Sequence, residues 1–224
     1  MNQQRETKII KQNPLKSFSD VRLYVIISSS LAKKPVLETL QEVIQGGADA
    51  VQLREKTMPD SEFLTLSNEF RRITLQSRTL FIVNDRAEIA KKADADGLHI
   101  GQSDLDIHSA RKIIGCNRIL GVSTHNIAQA RKAQLEGADY ISVGPIFYTS
   151  TKDYEPLVGL DYLQEAKREI TIPFVAIGAI NLKNLSKVLL AGGSRVAICS
   201  AIICSDNILQ TTRSFKAQIF THTL

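Results

Sequence analysis

The sequence predicts an α/β fold, a single (β/α)8 barrel of the TIM type with a short N-terminal extension. Three observations carry that reading. Short apolar runs rich in β-branched residues alternate with longer helix-like segments eight times along the 224 residues. The runs are continuously apolar rather than alternating, as in parallel strands buried on both faces. Each strand–helix unit takes about 25 residues, the length of a mean strand, a mean helix and two short loops.

Strands are expected at 22–28, 50–54, 80–83, 97–100, 119–122, 140–143, 174–177 and 195–198. Helices are expected between and after them at 35–45, 61–76, 87–93, 107–114, 127–136, 160–169, 182–190 and 208–219. A faint repeat supports the count: Gly-Gly-Ala-Asp at 46–49, Gly-Ala-Asp at 137–139 and Gly-Gly-Ser at 192–194 each lead straight into an apolar strand. Glycine there closes the helix in a left-handed cap. Eight such units close most simply into a barrel ringed by helices, an open doubly wound sheet being the alternative. Residues 1–20 fall outside the pattern and form an arm, frayed or packed beside the barrel, leaving 21–224 as the catalytic domain.

Composition narrows the class. A chain of this length, 43% hydrophobic and 23% charged, buries a core without staples. No apolar run reaches the roughly 20 residues of a membrane helix, and the polar opening lacks a signal-peptide core. Cys116, Cys199 and Cys204 are too few for a disulfide framework, and a reducing cytoplasm is expected. Cys116 and Cys199 have no flanking arrangement that would make a reactive thiol and are expected to be buried, with His108 and His222 on the surface. The net charge of +5 suits anionic ligands, but Lys and Arg are scattered and Trp is absent. A solvated basic surface is expected, not nucleic-acid binding; a homo-oligomer is compatible with the sequence.

In such a barrel, ligands bind where strands end. The unusual polar residues gather there: Gln52, Arg54 and Lys56 at strand 2, Asn84-Asp85 at strand 3, His99 and Gly101–Asp104 at strand 4, Ser123-Thr124-His125 at strand 5, and Thr149, Thr151 and Lys152 beyond strand 6. Turn residues alone occupy the opposite ends. That asymmetry points to an enzyme site.

Asp85 and Asp104 follow neighbouring strands and form the candidate metal pair. Mg2+ takes one or two protein carboxylates and completes its shell with water and phosphate oxygens; each Asp read singly is a helix cap. Arg54, Lys56 and Lys152 form a basic set. Arg54 ends a buried strand, where an unpaired cation is costly and a diphosphate would offset that cost. Gly178-Ala179 and Cys199-Ser200, after strands 7 and 8, suit a phosphomonoester held by backbone N–H groups and a short helix N-terminus. Ala179 is expected at negative φ. His99 and His125 are acid–base or hydrogen-bonding candidates.

In register from about Leu23 to Ile203, these strings resemble the thiamine-phosphate synthase (thiamine phosphate pyrophosphorylase) family. The resemblance implies a transferase that condenses 4-amino-2-methyl-5-hydroxymethylpyrimidine diphosphate with 4-methyl-5-(2-hydroxyethyl)thiazole phosphate, giving thiamine phosphate and pyrophosphate. It implies that Gln52, Arg54, Lys56, Asn84, Ser123 and Lys152 bind the pyrimidine diphosphate. Within that set Arg54, Lys56, Lys152 and Ser123 would be catalytic, and Asp85 and Asp104 would hold Mg2+. Thr149, Thr151, Ala179, Cys199 and Ser200 would hold the thiazole phosphate. The family usually has a second Gly at the Ala179 position and an aliphatic residue at Cys199. A thiazole tautomerase using His125, or a non-catalytic protein that binds thiamine precursors, are the alternatives.

Overall fold

The computed structural model describes residues 17–148 and 157–222. Eight parallel strands close into a barrel in strict chain order: β1 (Leu23–Ile27), β2 (Ala50–Leu53), β3 (Leu80–Asn84), β4 (Gly97–Ile100), β5 (Ile119–Thr124), β6 (Tyr140–Val143), β7 (Phe174–Ile177) and β8 (Val196–Ile198), with β8 paired back onto β1. Around them run α1 (Val36–Gln45), α2 (Asp60–Thr74), α3 (Ala87–Lys92), α4 (Ile107–Ile114), α5 (Ile127–Leu135), α6 (Gly159–Glu169), α7 (Leu185–Leu190), α8 (Ser200–Ile203) and α9 (Ile208–Thr221). The short α8 adds a helix to the expected eight, and α7 starts three residues later than expected. The turn before α7 is held by Asn184, whose Oδ1 accepts from Asn181 N–H at 2.7 Å.

The helix-closing glycines take the left-handed conformation the repeat implied: Gly47 has φ 95°, Gly137 92° and Gly192 100°. Three aspartates work as clamps at strand bases, two of them directly after these glycine turns. Asp49 accepts from Arg22 N–H and Leu23 N–H, both at 2.9 Å, Asp96 from Phe81 N–H at 2.8 Å, and Asp139 from Leu120 N–H at 2.7 Å. Each carboxylate also pairs with a helix cation, Lys216, Arg71 and Arg111 respectively. The strand bases are thereby anchored, which leaves the opposite ends free to carry chemistry.

Two buried shells result. The larger lies between strands and helices and includes Phe63, Phe70, Phe81 and Phe215. The smaller fills the barrel with Phe18, Tyr24, Ile26, Leu80, Ile82, Tyr140 and Val175. Gly121 makes room for Tyr140: a Cβ at that position would lie 2.1 Å from the Tyr140 ring. Residues 17–20 do not lie beside the barrel. The 3-10 turn Phe18–Asp20 sends Phe18 into its base, stacked on Tyr140 with ring centres 3.5 Å apart. Cys116 is exposed, contrary to expectation, because Gly115 ends α4 at φ 80° and turns the chain outward. His108 and His222 are on the surface as expected. No helix among the described residues is long and apolar enough to cross a membrane.

Candidate active site

The C-terminal strand ends open onto two adjoining cavities. The first is bounded by Lys56, Asn84, Asp85, Gly101–Asp104, and the second by Ile26, Ser142, Pro145, Ile177–Ile180, Ala197, Cys199 and Ser200. Arg54, Ser123 and His125 line both. Period-two geometry puts Gln52 and Arg54 on the same inner face of the second strand unit, one layer apart.

In the first cavity the loop after β2 is pinned before it presents its lysine. Glu55 accepts from Ser29 N–H at 2.5 Å and from Ser29 Oγ–H at 2.9 Å, while Arg86 donates to the Glu55 carbonyl at 3.0 Å. Lys56 Nζ then reaches Asp85 Oδ2 at 2.5 Å. Asp85 sits at φ 61°, a left-handed conformation that Asp tolerates better than most residues. Asp104 Oδ2 accepts from Gly101 N–H at 2.7 Å, and Gln102 Nε2 ties the same loop to the Ser123 carbonyl at 2.6 Å.

Both aspartates border this cavity. Burial and the neighbouring Asp104 hold the Asp85 carboxyl above the ordinary range, against the pull of Lys56. Asp104, although burial acts the other way, is held below that range by hydrogen bonds from Asp85 and from Gly101 N–H. Two neighbouring carboxylates beside Lys56 are a hard-oxygen donor set that fits a divalent cation. Among the described residues no cluster of three or more acidic, His or Cys side chains that could hold a metal ion is found.

The second cavity has an apolar floor and a polar rim. Gly178 is required where it stands: at φ 113°, a Cβ there would lie 2.6 Å from Pro145 Cα. The next residue overturns the expected backbone. Ala179 has φ 44°, not a negative value, because the Asn184 amide draws its carbonyl round by donating at 3.0 Å. A side-chain-bearing residue in this region is strained by about 1–2 kcal/mol, partly offset in a glycine variant by unfolded-chain entropy. Ala179→Gly should therefore raise the midpoint of thermal unfolding by about 1–4 °C, as about 0.5–1 kcal/mol does in a domain of this size. A lower unfolding midpoint would show that the turn is not strained.

Cys199 precedes the four-residue α8 and is half-buried. Burial pushes its thiol up to about 11, so it stands as a neutral apolar neighbour, not a nucleophile. His125 Nδ1 meets the Gly144 carbonyl at 2.7 Å and so carries a proton there. Thr149, Thr151 and Lys152 lie outside the described residues. Sequence reasoning missed Tyr24, Tyr140 and Ser142, which sit inside strands whose apolar runs disguise which face they occupy.

The chain matches the family described as thiamine monophosphate synthase over residues 23–202. It is 42% identical over 196 residues to the thiamine-phosphate synthase of Moorella thermoacetica, covering 87% of this chain and 93% of that one. To the thiamine-phosphate synthase of Chloroflexus aurantiacus it is 40% identical over 202 residues, covering 89% and 93%. The solved thiamine phosphate pyrophosphorylase of Pyrococcus furiosus superposes with a TM-score of 0.84 at 33% identity, covering 90% of this chain and 96% of that one. With a family match across nearly the whole barrel and two cavities set at its strand ends, this chain belongs to the thiamine monophosphate synthase family.

Proposed function

We propose that this chain is a thiamine-phosphate synthase, a transferase joining 4-amino-2-methyl-5-hydroxymethylpyrimidine diphosphate to 4-methyl-5-(2-hydroxyethyl)thiazole phosphate. The observation that carries the reading is the pair of cavities sharing Arg54: one bears the lysine and the aspartate pair, the other the backbone turns of Gly178-Ala179 and Cys199-Ser200. Diphosphate belongs in the first and a phosphomonoester in the second, which brings the pyrimidine methylene and the thiazole nitrogen together at their boundary.

The methylene C–O bond breaks, its electron pair leaves with pyrophosphate, and the thiazole nitrogen lone pair forms the new C–N bond. No protein nucleophile is needed. The protein contributes charge opposite the departing oxygens, from Arg54, Lys56 and Lys152, and near-attack placement of two bound partners. Asp85 and Asp104 would hold Mg2+, which neutralises diphosphate charge when bound. Ser123, at the boundary, would orient the pyrimidine, and Thr149 and Thr151 would complete the thiazole-phosphate side. Three free cysteines support placement in a reducing cytoplasm.

The test is turnover with both substrates and Mg2+, measured as thiamine phosphate and pyrophosphate formed in equal amounts. Thiazole isomerisation without pyrophosphate would mark a tautomerase. Binding of both compounds without product would mark a precursor-binding protein.

A further inference from the structure

The turn that presents Asp85 is held from outside. Arg86 N–H donates to the Asn84 carbonyl at 2.7 Å, closing a three-residue turn around Asp85 at φ 61°. A three-residue turn of that hand is rare and strained, and it persists only where its surroundings over-determine it. On one side Asp85 N–H donates to the His99 carbonyl at 2.8 Å, which fixes the turn to β4. On the other side the Arg86 side chain fixes it to the loop after β2.

Both prongs of that guanidinium are engaged. Nη1 donates to Asp60 Oδ1 at 2.7 Å, and Nη2 donates to the Glu55 carbonyl at 3.0 Å and stands 3.5 Å from the Lys56 carbonyl. Its carbon lies 4.7 Å above the centre of the Phe63 ring. Arg86 and Asp60 border neither cavity, so the fork serves the loops and not a ligand. Lys56 and Asp85 also meet directly, but that contact joins a half-exposed lysine to a rim carboxylate and holds little on its own. On the diphosphate reading it must open, because Lys56 turns to phosphate oxygens and Asp85 to a cation. Something behind the pair has to keep the two loops in place when it does.

We infer that Arg86 is a positioning residue for the diphosphate half of the site, a bracket that bolts the loop carrying Lys56 to the turn carrying Asp85, with the exposed Asp60 acting on bound ligand only through it. The inference rests on the diphosphate reading above and adds what keeps its binding groups in register. Lysine at position 86 would keep the charge but could hold only one of the two anchors.

Two measurements test this. Hydrogen exchange of the ligand-free protein reads the turn directly: in Arg86→Lys the Asp85 amide should exchange at least tenfold faster. The Ile146 amide, bonded to the Ile177 carbonyl beside the second cavity, should stay within about twofold. Calorimetry with inorganic pyrophosphate and Mg2+ should give a Kd about 10–10²-fold weaker in Arg86→Lys, the usual cost of a displaced binding group. The Kd for thiazole phosphate should move less than about twofold, since distant sites act independently. Asp60→Asn should weaken pyrophosphate binding about two- to fivefold, and the double variant should be no worse than Arg86→Lys alone. Full pyrophosphate affinity in Arg86→Lys would show that charge suffices and overturn the bracket, as would equal losses for both ligands. Losses that add in the double variant would overturn the route through Asp60. Native protein that does not bind magnesium pyrophosphate would overturn the diphosphate reading, and Asp85 exchange would then judge the bracket alone. Should Arg86→Lys not fold, Asp60→Asn, a change at a side chain 82% exposed, is read by the same two measurements.

Discussion

Chelation of divalent cations should stop turnover, and Asp85→Asn should do the same with cations present. The expected loss is about 10²–10³-fold in kcat, the usual cost of removing one preorganised charge-stabilising element at a reacting centre. Asparagine is the informative replacement because Asp85 sits at φ 61°, where Asn is tolerated and most other side chains add strain. The fold should survive. The carboxylate is a rim group paired to a half-exposed lysine, so unfolding temperatures of the two proteins should agree within about 3 °C, about 1 kcal/mol in a domain of this size. EDTA should abolish native activity, and added Mg2+ should restore it. Activity that persists in EDTA would remove the metal from the reaction.

The barrel was legible because every level of the sequence agrees: apolar runs of strand length, helices of matching length, and a Gly-Ala-Asp punctuation repeated at the strand bases. Asp49 and Asp139 of that punctuation turn out to clamp backbone N–H groups, a role that spacing alone does not reveal. Asp85, Asp104, Arg54 and Lys56 were legible for a different reason. Charged residues at the end of a buried apolar strand are conspicuous, and a barrel exposes that end to ligand. Tyr24 and Tyr140 were hidden because a tyrosine within Leu-Tyr-Val-Ile-Ile or Tyr-Ile-Ser-Val reads as a core aromatic. Only the register, and the missing side chain at Gly121, shows that Tyr140 points into the barrel and not toward the helices. The φ of Ala179 was beyond reach of the sequence because a contact five residues away, from Asn184, decides it. The exposure of Cys116 was missed by weighing the apolar character of the thiol above the turn that Gly115 imposes.

Arg54→Ala should be the substitution that harms both substrates at once. Of the three residues lining both cavities, it alone carries a permanent charge, and among the described residues its guanidinium has no ion-pair partner. Its planar fork can bind diphosphate oxygens bidentately, and its charge also reaches the Cys199 thiol in the second cavity. The expected result is a fall of about 10²–10³-fold in kcat together with higher KM for both the diphosphate and the thiazole phosphate. Lys56→Ala, by contrast, should lower kcat and raise the KM of the diphosphate while leaving the thiazole-phosphate KM in place, because Lys56 borders only the first cavity. Arg54→Lys should recover part of the binding but little of the rate, since a single ammonium cannot reproduce the two-pronged contact. Steady-state kinetics with each substrate varied in turn separates these patterns. If the thiazole-phosphate KM does not move in Arg54→Ala, the guanidinium serves the diphosphate alone, and the boundary between the two cavities lies elsewhere than at this residue.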